Sequence, residues 1–103
     1  MSVLVEFSMS PLDKGVSVSK YVARSIDIVA NSDLPYRLGP MGTCIEGDWD
    51  EVMAVIRQCY QRMSEDCERI TCSVKIDARA GEAGRLTGKV EKIESLLGRE
   101  VNK

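Results

Sequence analysis

The chain has 103 residues, 44% hydrophobic and 29% charged, with 14 Lys and Arg against 16 Asp and Glu and a net charge of −2. That length supports one modest core, so residues 1–103 are read as a single domain. The mixed-sign balance excludes the basic field of a general nucleic-acid binder, and no apolar run reaches the ~20 residues of a membrane span.

The opening "MSVLVEFSMSPL" has no basic n-region and no small-residue cleavage site, so the expected compartment is the cytoplasm. Its residues 3–9 alternate, with Val3, Val5, Phe7 and Met9 on one face and Leu4, Glu6 and Ser8 on the other, as in a half-buried strand. Pro11 and Gly15 punctuate the loop that follows, and Ser17 is the expected cap of a helix carrying Val18, Val22, Ile26 and Val29 at helical spacing. "NSDLP" closes that helix, because Pro35 cannot continue it.

Two short strands come next, about 36–38 and 41–46, joined at Gly39-Pro40. Asp48 and Glu51 form a capping-box pattern at the start of a second helix, which buries Val52, Val55, Ile56, Cys59 and Met63. "RITCSVKIDAR" is a long strand with Ile70, Cys72, Val74 and Ile76 toward the core. After the turn-rich 80–85, Leu86, Val90, Ile93 and Leu97 mark a C-terminal helix that stops at Gly98. The order predicts an α+β, ferredoxin-like βαββαβ sandwich with an extra C-terminal helix.

Two helices cover one sheet face, so function is sought on the other. Placing Ile45 in the core sends Glu46 to that second face, beside Glu6, Lys75 and Asp77. One reading is a solvated face with weak cross-strand pairs. The other is that two such sheets stack in a homo-oligomer and enclose a polar chamber for a small ligand, with every buried polar group partnered.

With no histidine, Ser-His, Cys-His and His-metal chemistry is excluded, and an enzyme is unfavoured. Cys44, Cys59, Cys67 and Cys72 form no C-x-x-C pair, so no metal site is expected and the thiols are read as free, with Cys59 and Cys72 as small core hydrophobes.

The stretches "YRLGPMGTCIEGDWDEVMAVI", "GVSVSKYVA" and "CSVKIDAR" closely resemble the small thiamine-binding protein family related to the YkoF-like proteins. The resemblance spans nearly the whole chain. It implies a ferredoxin-like subunit that forms homodimers or homotetramers through sheet packing and binds thiamine or its hydroxymethylpyrimidine moiety without catalysis or a cofactor. Carried over, Thr43, Glu46 and Gly47 fall in the signature T-x-I-E-G, Tyr36 precedes it, and Asp77 and Arg79 match K-I-D-x-R. The chain departs from the family in having Asp33 in place of Gly, and "LDKG" in place of a small Gly-rich loop.

Chemically, Glu46 suits the amine of an aminopyrimidine or a thiazolium cation. Tyr36 and Trp49 are candidate ring walls or packing anchors, and Arg37, Lys75 and Arg79 are phosphate contacts or surface pairs. Strand parity points Thr43 toward the core, whereas the signature makes it a ligand contact; a bulge would be needed to place it beside Glu46. The competing reading is a structural or regulatory self-associating module without a small-molecule ligand.

Overall fold

The structure is a computed structural model that describes residues 1–81 and 83–103. Glu82, in the expected linker, lies outside the described residues. The elements are β1 (Ser2–Pro11), α1 (Ser19–Ala30), β2 (Tyr36–Leu38), β3 (Thr43–Asp48), α2 (Trp49–Ser64), β4 (Ile70–Arg79) and α3 (Arg85–Leu97). The strands form one antiparallel sheet in the order β2-β3-β1-β4, and the fold is ferredoxin-like with an added C-terminal helix.

Alternation in β1 buries Val3, Val5, Phe7 and Met9 as expected. The strand continues past Met9, however, and Pro11 is its last residue, paired with Ile70. Pairing with β3 ends at Phe7, so the ladder on that side asks no N–H of Pro11. At α1 the cap is Val18 rather than Ser17, and the helix buries Tyr21, Ser25 and Val29. It is therefore rolled by about one residue, ~100°, from the expected stripe, which leaves Val18, Val22 and Ile26 half-buried on a flank.

Between β2 and β3 the Gly39 N–H donates to the Gly42 carbonyl at 2.9 Å. A Cβ on Gly39 would stand 2.8 Å from that oxygen, so the turn requires glycine. Pro40 and Met41 occupy the turn, and β3 begins at Thr43 rather than Met41. The expected capping box at α2 is present, with the Asp48 N–H donating to Glu51 Oε1 at 3.4 Å. α2 buries Val52, Val55, Cys59 and Met63, while Ile56 is half-buried.

The expected burial of β4 is corrected. Val74 and Ile76 face the helices from positions opposite Phe7 and Val5, yet they are 43% and 39% exposed, and Cys72 is exposed too. The helices pack over β2, β3 and β1, and the layer stops short of the edge strand. Asp33 and the "LDKG" loop both have local explanations. Asp33 has φ of 63°, a left-handed conformation that Asp tolerates better than most residues. In the "LDKG" loop, Asp13 accepts the N–H groups of Glu68 (2.8 Å) and Arg69 (3.4 Å), tying the loop to the start of β4.

Arg24 of α1 ties that helix to the residues following α2: its guanidinium lies 4.7 Å from the Tyr21 ring centre and makes paired bonds of 3.0 and 2.9 Å to Asp66. Those bonds hold the Asp66 carboxyl down from 3.8 to about 2. A carboxyl lowered on folding contributes stability that is complete above its unfolded value and disappears as pH falls through the folded one. Thermal melts should therefore show this contribution draining away between about pH 4 and pH 2, and Asp66→Asn should flatten that part of the profile. An unchanged profile in the variant would remove Asp66 from the acid response.

Candidate functional site

β3 pairs with β1 without a break from Phe7↔Thr43 to Ser2↔Asp48, so no bulge brings Thr43 and Glu46 together. Thr43 and Gly47 face the helices; Glu46 faces the other way, on the side of Leu4 and Asp77. The candidate residues are divided by the sheet.

The face expected to be uncovered is covered at Glu46. The residue is only 4% exposed because the first turn of α3 rests on it. Its carboxylate accepts the backbone N–H of Arg85 at 2.8 Å and of Leu86 at 3.3 Å. This satisfies orphan donors at the helix start, and the negative charge meets the positive end of the helix dipole. Gly84 in front of the helix is in the left-handed region and has no side chain with which to cap it, so the cap is supplied from β3.

Arg85 folds back beneath the helix. Its Nη2 donates to the carbonyls of Asp77 (2.9 Å) and Ser2 (3.2 Å), and Nη1 lies 3.1 Å from the Asp77 carboxylate. That last contact is an ion pair without hydrogen-bond alignment, and Nε finds no partner among the described residues. Lys89 also binds Asp77; together Lys89 and Arg85 hold its carboxyl below the usual range. Beside this cluster is a cavity of about 160 Å³ lined by Leu4, Glu6, Cys44, Lys75, Asp77 and Lys89. Arg79 lies on the same face, opposite Ser2 at the strand end.

Removing the Glu46 carboxylate leaves the backbone N–H groups of Arg85 and Leu86 without their acceptor where the helix start is covered. Glu46→Ala should cost about 1.5–3 kcal/mol of α3 docking, seen as faster hydrogen exchange across α3 with the β1–β3 core still protected. Exchange in α3 at the wild-type rate would show that Glu46 does not hold the helix.

Thr43 belongs to a different concavity. It lines a cavity of about 300 Å³ between α1, the ends of β1 and the β2–β3 turn. Phe7, Val22, Ile26, Leu38 and Met41 supply apolar wall, and Ser25 joins Thr43 as a second buried hydroxyl-bearing residue. The cavity opens into a shallow groove along α1 through Val18, Val22 and Leu38. Sequence reasoning missed Ser25, because the expected stripe of Val18, Val22, Ile26 and Val29 leaves it off the buried face; only the roll of α1 brings it inward.

The remaining candidates stand outside both cavities. Tyr36 pairs with Ile45 on the edge strand and is partly exposed. Gly47 serves packing, since a Cβ there would come within 3.2 Å of Leu34 and 3.3 Å of Val52. Trp49 is 50% exposed at the start of α2. Burial pushes all four cysteine thiols up, with Glu6 adding to this at Cys44 and Asp66 at Cys67. None is thereby activated as a thiolate nucleophile. Among the described residues no group of three or more Cys, Asp or Glu is placed to hold a metal ion, and no helix is long and apolar enough to cross a membrane.

Residues 5–94 match the family described as thiamine-binding protein. The chain belongs to this family. It is 40% identical over 98 residues to UPF0045 protein MT1949 of Mycobacterium tuberculosis, covering 94% of this chain and 96% of that protein. It is 36% identical over 94 residues to UPF0045 protein MJ1052 of Methanocaldococcus jannaschii, covering 91% and 94%. The crystal structure of MJ1052 superposes with a TM-score of 0.82 over 89% of this chain and 95% of that one. A Thermotoga maritima protein proposed to act in thiamine biosynthesis or salvage shares the fold at a TM-score of 0.77 and 22% identity, covering 90% and 99%.

Proposed function

We propose that this protein binds thiamine or its hydroxymethylpyrimidine moiety without transforming it, as a small cytoplasmic carrier or sensor in a homo-oligomer. The observation that carries this reading is the 300 Å³ cavity at Thr43, combined with membership of a thiamine-binding family. Its size lies at the lower end of small-ligand pockets, and its apolar walls with a few polar groups suit one substituted aromatic ring. Phe7, Val22 and Leu38 take the ring faces, while Thr43 and Ser25 meet the ring nitrogens and exocyclic amine. The charged part of thiamine then points along the open groove to water.

A second reading seats the ligand on the other sheet face, in a chamber closed by a stacked copy. The cavity beside Asp77 favours it, since that site offers carboxylates for an amine or a cation. In that reading Asp77 and Arg79 are ligand contacts and Glu46 acts through the placement of α3. A self-associating module without ligand is the outcome if both sites prove empty.

Calorimetric titration with hydroxymethylpyrimidine, thiamine and its phosphates tests this directly. Val22→Trp should abolish binding by filling the cavity, and Thr43→Val should weaken it by roughly fivefold, the worth of about 1 kcal/mol for one hydrogen bond. Loss of binding in Lys75→Ala with Val22→Trp unaffected would move the ligand to the other face. Absence of heat for every ligand up to about 1 mM, where binding is worth only about −4 kcal/mol, would overturn the reading.

A further inference from the structure

None of the residues that line the cavity at Thr43, or the groove it opens into along α1, has an acidic or basic side chain. The ionisable groups on the surrounding elements are engaged or placed elsewhere. On α1, Lys20 and Arg24 lie over the Tyr21 ring, 5.1 and 4.7 Å from its centre, and Asp27 is exposed. Glu6 of β1 and Arg37 of β2 share the opposite sheet face with Cys44. In the loop between β1 and α1, Lys14 is exposed and Asp13 accepts the N–H groups of Glu68 and Arg69.

The cavity offers hydroxyls instead. Ser25 and Thr43 are each 4% exposed, and neither hydroxyl is hydrogen-bonded to another described residue. A polar group so buried is normally paired, and these two are free to pair with a ligand. A hydroxyl donates to the lone pair of a ring nitrogen and accepts from an exocyclic amine. It supplies no countercharge.

That combination separates two forms of one ligand. An aminopyrimidine is a weak base: its ring nitrogen is a bare acceptor when neutral and an N–H cation when protonated. The neutral ring finds its partners in the two hydroxyls. The protonated ring gives up water and meets no carboxylate, and desolvation disfavours the charged form.

We propose, resting on the ligand reading above, that the Thr43 cavity binds its pyrimidine ring only in the uncharged form. At acid pH the ring nitrogen then surrenders its proton to the buffer as the ligand enters. The cavity on the other sheet face has the opposite preference, because Glu6 and Asp77 there favour a protonated ring. The sign of the pH dependence therefore distinguishes the two faces.

The test is calorimetric titration of the intact protein with hydroxymethylpyrimidine from about pH 8 to about pH 4.5, above the range in which Asp66 loses its contribution. Kd should be level above the pKa of the free ring and rise about tenfold per pH unit below it. Heats in buffers of different ionisation enthalpy should show release approaching about one proton per ligand on the acid side. Val22→Asp, at a half-buried lining position, supplies a countercharge and should flatten or invert the dependence, with circular dichroism unchanged. If that variant does not fold, proton release by the wild type decides the matter alone. A Kd indifferent to pH across the ring's pKa, or tighter at acid pH, would overturn the proposal. If Val22→Trp still abolishes that binding, the Thr43 site stands and only the protonation claim falls. Binding that survives Val22→Trp, or no heat at any pH, removes the site reading as well.

Discussion

Ile45 and Glu46 are neighbours in the chain, and both are buried on opposite sides of one sheet. An isolated carboxylate buried there would be costly unless it were hydrogen-bonded. The fold resolves this by laying the start of α3 on it, so that two helix N–H groups meet the carboxylate and Arg85 reaches Asp77 and the carbonyl of Ser2. The placement of the C-terminal helix follows from this cluster. Its apolar side contributes less, since Ile93 and Leu97 remain about half exposed.

This arrangement separates two kinds of surface. On the helix side, the roll of α1 onto Tyr21, Ser25 and Val29 leaves Val22 and Ile26 to wall a cavity whose floor includes Thr43. The Gly39 turn sets the lip of that cavity, because only glycine lets the two strands close at Gly42. On the other side, Asp77 is shared between Arg85 and Lys89, and the cavity beside it sets the charged Glu6, Lys75, Asp77 and Lys89 around Leu4 and Cys44. The signature containing Thr43, Glu46 and Gly47 therefore serves three purposes: a cavity wall, a helix cap and a close approach of Leu34 and Val52.

The molecule is also longer than a sphere of its size. Its radius of gyration of 15.0 Å exceeds the ~13 Å of a compact chain of about 100 residues, and its extents are 46 × 29 × 20 Å. α3 adds little to the core, and α1 and α2 stop before β4. Exposed apolar surface at Val74, Ile76, Trp49 and Tyr60 is the consequence. A small chain that leaves such surface bare has less core to stabilise it.

The sequence by itself determined what depends on local periodicity: the order of strands and helices, the inward set of β1, the α2 stripe and the capping box at Asp48. Alternation also assigned Glu46 to the face opposite Ile45 and Thr43 to the core side, because period two leaves no other choice in an unbroken strand. What it did not determine is which faces would be covered. The roll of α1, the reach of the helices over β4 and the descent of α3 onto Glu46 depend on distances between elements far apart in the chain. Only the tertiary structure decided those, and with them that Glu46 holds a helix while Thr43 lines a cavity.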